Sequence, residues 1–253
     1  MAVGVTADAS TSVVEVKVHG RWSEDLGKQV RATLQLCLAG PATWIIIDLH
    51  DVGDLHGVSR PFWMAAVRAA RFGPAPARMA FCVPARTMLS YRLRHGEGHP
   101  PLLFAAMPEA HRVIAEQSPR THRLQARLGP QPSSVPAARD LVRQACRSWQ
   151  LPQLRSEASL IVSELAANAV QHARTDLVVT ASRSGSRIHL AVRDGDTRYP
   201  RLVEPAGVGE AAFLSEQGRG LQLVHAVAAA WGAMPARGGK VVWATLSPES
   251  PAT

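Results

Sequence analysis

The apolar pattern changes period twice between Val13 and Leu49, and that switch narrows the fold more than any other feature of the chain. Val13–Val18 alternates as a half-buried strand does, Ser23–Leu38 repeats Leu26, Val30, Leu34 and Leu38 at helical spacing, and Trp44–Leu49 returns to a compact strand run, WIIIDL, ending in the turn-like DVGD. Strand, helix, strand requires helices layered on a sheet. The pattern continues with a helix over Ser59–Phe72, a strand over Arg78–Val83, a short helix over Thr87–Arg94, a strand over Leu102–Phe104 and a helix over Met107–Gln117 that begins at Pro108. These residues read as a small α/β domain.

Residues 118–136, SPRTHRLQARLGPQPSSVP, are dense in Pro, Ser and Gly around a brief alternating stretch. They mark a boundary near residue 119, with the first strand of a second domain at His122–Leu128. Helices follow over Val135–Trp149 and Leu154–His172, then strands Leu177–Arg183 and Arg187–Arg193 joined by a Ser-Gly-Ser hairpin signal. Gly220–Trp231 reads as a helix and Lys240–Leu246 as a strand after Gly238 and Gly239, so the second domain places helices on a mostly antiparallel or mixed sheet. The expected organisation is an α/β two-domain protein, 1–118 and 119–250.

At 253 residues the chain can build two ordinary cores. The amino terminus has no basic segment followed by an apolar run, and no stretch reaches the length of a membrane span, so neither a standard secretion signal nor a membrane anchor is expected. Three cysteines without a CxxC pair imply a reducing, cytoplasmic setting and exclude a disulfide framework or a structural zinc site. The net charge of +8 is shared unevenly: residues 1–118 carry 12 basic and 10 acidic side chains, residues 119–253 carry 16 and 10. The basic residues are scattered and no nucleic-acid reading module accompanies them, so direct nucleic-acid binding is not expected. The second domain is the better host for an anionic ligand.

Three segments of that domain carry chemistry. In SELAANAVQHA, Glu164, Asn168 and His172 follow one another at i, i+4 and i+8 along one side of a helix, apart from Leu160, Ile161 and Leu165. Such a ridge either faces water or lines a cleft, where Glu164 and Asn168 form a candidate acid/base and metal-holding pair. In VRDGDT, Asp194 ends a strand beside Gly195, where a carboxylate can accept a hydrogen bond and glycine permits close backbone approach. In GRGL, Gly218, Arg219 and Gly220 precede the helix containing Leu221. This is either an ordinary loop or a phosphate-binding helix entrance.

In this order and spacing the three segments resemble the ATP-binding fold of the gyrase/Hsp90/histidine-kinase type, an α/β sandwich, and within it the anti-sigma-factor serine kinases of actinobacterial type. The resemblance runs from about residue 120 to 247, including the ending from Trp231 to Leu246. It implies ATP and Mg²⁺ as cofactors, with Asn168 holding the ion, Glu164 activating the attacking hydroxyl and Asp194 accepting the adenine amino hydrogen. Gly218 and Gly220 would let a loop close over the phosphates while Arg219 adds charge, and His172 and Thr245 would join the nucleotide site. It further implies a serine/threonine kinase acting on an anti-sigma-factor antagonist, with a sigma factor as a second partner, and leaves the oligomeric state open, a homodimer included. A non-catalytic scaffold with a weak or purely regulatory nucleotide site is the alternative. One departure stands out: the family's second glycine in the aspartate box is replaced here by the run Asp196, Thr197, Arg198.

The first domain resembles the STAS fold of anti-sigma-factor antagonists, in which a D-S-[ST]-G loop supplies a phosphorylatable hydroxyl. Here that loop reads Asp54, Leu55, His56, Gly57 and the hydroxyl is missing. Ser59 lies beyond it at an expected helix cap, where bonding to a backbone N–H is the usual role. The resemblance therefore implies a domain that docks or autoinhibits without switching.

Overall fold

The computed structural model describes residues 2–8, 13–40, 42–73, 76–96, 100–117, 122–200 and 219–248. The chain divides into two compact units, Met1–Pro119 and Arg120–Thr253.

The first unit runs β1 (Val3–Asp8), β2 (Val13–Arg21), α1 (Glu24–Ala39), β3 (Trp44–Gly53), α2 (Arg60–Phe72), β4 (Arg78–Cys82), α3 (Met88–His95), β5 (Leu102–Phe104) and α4 (Met107–Gln117). Its strands lie in the order β5-β4-β3-β2-β1; β1 pairs antiparallel with β2 and the others pair in parallel. Parallel strands must be covered on both faces, and Trp44, Ile45, Ile46 and Ile47 are accordingly all buried. One face, with Trp44, Ile46, Ala80 and Cys82, packs on Ala110 and Ile114 of α4. On the other, Phe81 meets Trp63 of α2 at a ring separation of 5.7 Å, and Trp63 meets Trp22 at 5.3 Å. Ser23 caps α1 by accepting the Leu26 N–H at 3.2 Å. The turn expected at DVGD is instead the end of β3, because Asp51, Val52 and Gly53 pair with His19, Gly20 and Arg21 beyond a bulge that places one extra residue in β3.

The second unit runs β6 (Arg123–Leu128), α5 (Ser134–Ser148), a 3₁₀ turn (Pro152–Leu154), α6 (Arg155–Asn168), a π-helical turn (Ala169–Ala173), β7 (Leu177–Ser184), β8 (Arg187–Asp194), α7 (Arg219–Val227), β9 (Ala230–Ala236) and β10 (Gly239–Leu246). Its strands lie in the order β9-β10-β8-β7-β6, and every pairing is antiparallel. Helices α5 and α6 cover one face, their Val142, Ile161 and Leu165 packing on Leu177, Val179, Leu190 and Val242, with Val224 of α7 completing the core. Helix α7 is shorter than its apolar pattern suggests. The Ala229 N–H donates to the Thr245 carbonyl at 2.9 Å, so the alanine run after Val227 enters the sheet as β9 and Trp231 lies on a strand. Strand pairing overrides alanine's helix preference there.

Cys37, Cys82 and Cys146 are free and buried, and burial pushes the Cys37 and Cys82 thiols up to about 12. Among the described residues no helix is long and apolar enough to cross a membrane.

Candidate functional site

Helix α6 buries Ile161, Val162, Leu165 and Ala166 and leaves Glu164 and Asn168 only partly covered. After Asn168 the helix widens into the π turn, which ends where Arg174 takes a left-handed conformation (φ 53°) and donates its N–H to the Ala169 carbonyl at 3.2 Å. Such turns inside helices recur at functional sites. This one carries Asn168 and His172 to the wall of a cavity of about 510 Å³, whose apolar lining includes Leu165, Val192, Leu221 and Val242. Asp194 and Lys240 line the sheet side of the same cavity, and Arg198 and Tyr199 also border it.

Strand register builds the sheet side. Lys240 pairs directly with Asp194 across β10 and β8, and its Nζ lies 2.9 Å from Asp194 Oδ1 with side chains only 8% and 3% exposed. The same ammonium donates to the Asp196 carbonyl at 3.2 Å and lies 3.6 Å from Asp196 Oδ2. Asp194 Oδ1 also accepts the Asp196 N–H at 2.9 Å, so among the described residues its hydrogen bonds fall on one oxygen. Arg198 clasps Asp196 through its side chain and backbone N–H, and these bonds, helped by Lys240, hold the Asp196 carboxyl down at about 2. Two close approaches fix the register. A Cβ at Gly239 would collide with the Asp194 carbonyl, and one at Gly195 would stand 3.0 Å from the Thr175 hydroxyl that accepts the Gly195 N–H.

Not every residue singled out from the sequence reaches the cavity. The Glu164 carboxylate lies against Gly220 in the first turn of α7, where a Cβ would collide with it; the positive end of that helix favours a carboxylate there. Glu164 is therefore beside the cavity while Leu221, one residue on from Gly220, is on it. Arg219 opens α7, and Gly218 lies outside the described residues. Thr245 falls on the opposite face of the sheet, because side chains alternate along β10 and Lys240 and Val242 take the cavity face. Its hydroxyl bonds buried His189 Nδ1 at 2.8 Å instead of a nucleotide. Lys240 was not legible as a site residue. The only local signal is that it follows Gly238 and Gly239, and its partner is set by a pairing 46 residues away.

In the first unit, Asp54, Leu55, His56 and Gly57 form the turn between β3 and α2, with Gly57 at φ 63°. The Asp54 carboxylate accepts the Val58 and Ser59 N–H groups at 2.9 Å each and the Ser59 hydroxyl at 2.6 Å. Ser59 does not cap α2 with its side chain. Its Oγ donates to Asp54 and accepts the Trp63 indole N–H at 2.9 Å, and the residue is 1% exposed.

Residues 128–246, all within the second unit, match the family model for the histidine kinase-like ATPase domain. No curated protein matches the chain.

Proposed function

From a second unit with the histidine kinase-like ATPase fold, a kind of domain that binds ATP, typically with Mg²⁺, we propose that this chain is an ATP-binding regulator that phosphorylates a serine or threonine on an anti-sigma-factor antagonist. The observation that carries the reading is that a helix-borne carboxamide, Asn168, and a strand-end carboxylate, Asp194, border the same cavity and are joined by an apolar floor. Its volume lies within the roughly 300–1,000 Å³ of small-molecule sites. Among the described residues Asp194 Oδ2 takes no hydrogen bond and can accept an exocyclic base amine, while Leu165, Val192 and Val242 supply faces for the ring.

Among the described residues no group of three or more His, Cys, Asp or Glu side chains could hold a metal. An ion at this site therefore relies on Asn168 together with the nucleotide's own phosphates, which suits Mg²⁺. When bound, the ion neutralises phosphate charge during transfer. Glu164, at the mouth of α7, is the carboxylate assigned to orient and deprotonate the acceptor hydroxyl. In the first unit we assign a STAS-like, non-switching role, since the Asp54–Gly57 turn has no hydroxyl and Ser59 is enclosed between Asp54 and Trp63. The setting is the cytoplasm, and a sigma factor is the second partner of the scheme.

A second reading, a binding scaffold with a weak nucleotide site, draws on the tie between Asp194 and Lys240 and on Glu164 standing off the cavity wall. Calorimetric titration of ATP with and without Mg²⁺ separates the two. The intact protein should bind in a Mg²⁺-dependent way, and Asn168→Ala should weaken that binding by at least about tenfold, as expected for losing a contact to a charged group. Negligible binding by both proteins would leave the scaffold. Transfer is then read with labelled ATP and isolated antagonist domains, where Glu164→Ala should abolish phosphorylation and keep nucleotide binding.

A further inference from the structure

The end of the cavity assigned to the base holds a cation as well as a carboxylate. A lone carboxylate offers only acceptors, so it takes a base amine and repels a base carbonyl. Lys240 changes that code. Its ammonium has three N–H groups, of which two are engaged by Asp194 Oδ1 and the Asp196 carbonyl. The third makes no hydrogen bond among the described residues, its nearest carboxylate oxygen there being Asp196 Oδ2 at 3.6 Å, and the residue lines the cavity.

We propose that Lys240 is a base-reading residue which, paired with Asp194, makes this cavity accept purine nucleoside triphosphates bearing either a 6-amino or a 6-oxo group. The proposal rests on the nucleotide reading above. Asp194 Oδ2 and the third Lys240 N–H set an acceptor beside a donor. The Watson–Crick edge of a 6-aminopurine presents a donor at N6 next to an acceptor at N1, whereas a 6-oxopurine presents an acceptor at O6 next to a donor at N1. Either edge satisfies the pair, with the base shifted by one atom along its edge or turned over.

Three features make Lys240 a fixed reader instead of a mobile surface lysine. It is directly opposite Asp194 in the strand register, its side chain is more than nine-tenths buried, and the Gly239 backbone is pressed against the Asp194 carbonyl just before it. The ion pair also cancels the charge that would otherwise repel O6. Asp196 does not compete for this role, because Arg198 holds its carboxylate.

The test is calorimetric binding of ATP and inosine triphosphate, in Mg²⁺, to the full chain. Inosine triphosphate carries the 6-oxo edge without the extra 2-amino group of guanine. The unmutated protein should bind the two within about tenfold of each other, since both edges are satisfied. Lys240→Gln, which keeps a donor, should retain inosine triphosphate, and Lys240→Met should lose it by about thirtyfold or more relative to ATP, because O6 is left facing a carboxylate. Since Lys240→Met strands a buried carboxylate, the comparison on the unmutated protein decides independently of that variant's folding. A preference for ATP above about tenfold in the unmutated protein overturns the proposal and leaves the ATP reading standing. Equal loss of both nucleotides in a folded Lys240→Met assigns Lys240 to charge balance and also overturns it. Absence of Mg²⁺-dependent binding for either nucleotide removes the ATP reading itself.

Discussion

His189 shows how a single side chain on the sheet face away from the cavity sets a condition on the whole fold. Burial, with nearby Arg187 adding to it, holds its imidazole down to about 4, and it stays neutral against the Thr245 hydroxyl. Because the folded value lies below the unfolded value of about 6.5, the unfolded chain takes up a proton first as pH falls. Stability from this group is intact above about pH 6.5 and declines toward pH 4 by up to ~3 kcal/mol. Urea unfolding between pH 7.5 and 4.5 should show the midpoint sliding downward, and His189→Gln should remove much of that slope. An unchanged slope in the variant would mean that other groups control acid sensitivity. The neighbouring threonine carries a lesson of the same size. Thr245 was readable as a strand residue but not as one facing away from the cavity, because one step of register decides which face a strand residue takes.

Elements whose signal is local were legible to the residue, and those that need a partner were not. Helix α4 and strand β5 coincide with Met107–Gln117 and Leu102–Phe104, since Pro108 and a short apolar run mark them without outside help. Strand β1 and strand β9 were missed. AWGAMPA has no alternation of its own and becomes a strand only because β10 pairs with it. At the site, Asn168 and His172 meet on the cavity because their four-residue spacing carries into the π turn, whereas Lys240 meets Asp194 through a pairing that no local pattern announces. The β9–β10 hairpin is therefore the element on which the site's geometry depends. Gly238→Ala, in open space but at φ 73°, should cost about 1 kcal/mol. Gly239→Ala, which drives a Cβ into the Asp194 backbone, should cost about 2–3 kcal/mol and depress ATP affinity with it. Denaturant unfolding and nucleotide titration of the pair check this, and equal effects from both glycines would dismiss the close approach as the cause.

Over the whole molecule, every described residue lining the cavity lies between Leu165 and Val242, inside the second unit. A unit with its own core can fold alone. Residues 120–253 produced separately should unfold cooperatively and bind ATP within about threefold of the full chain, measured by calorimetry; a folded fragment that does not bind while the full chain does would show that the first unit completes the site. The three native thiols add a practical consequence. Shielded and, for Cys37 and Cys82, raised far above the reactive range, they leave the natural chain a silent background for maleimide dyes. One cysteine installed in place of Tyr199, half exposed at the cavity's edge, would be the sole labelled position, and its emission would report occupancy of the cleft by unmodified ligands.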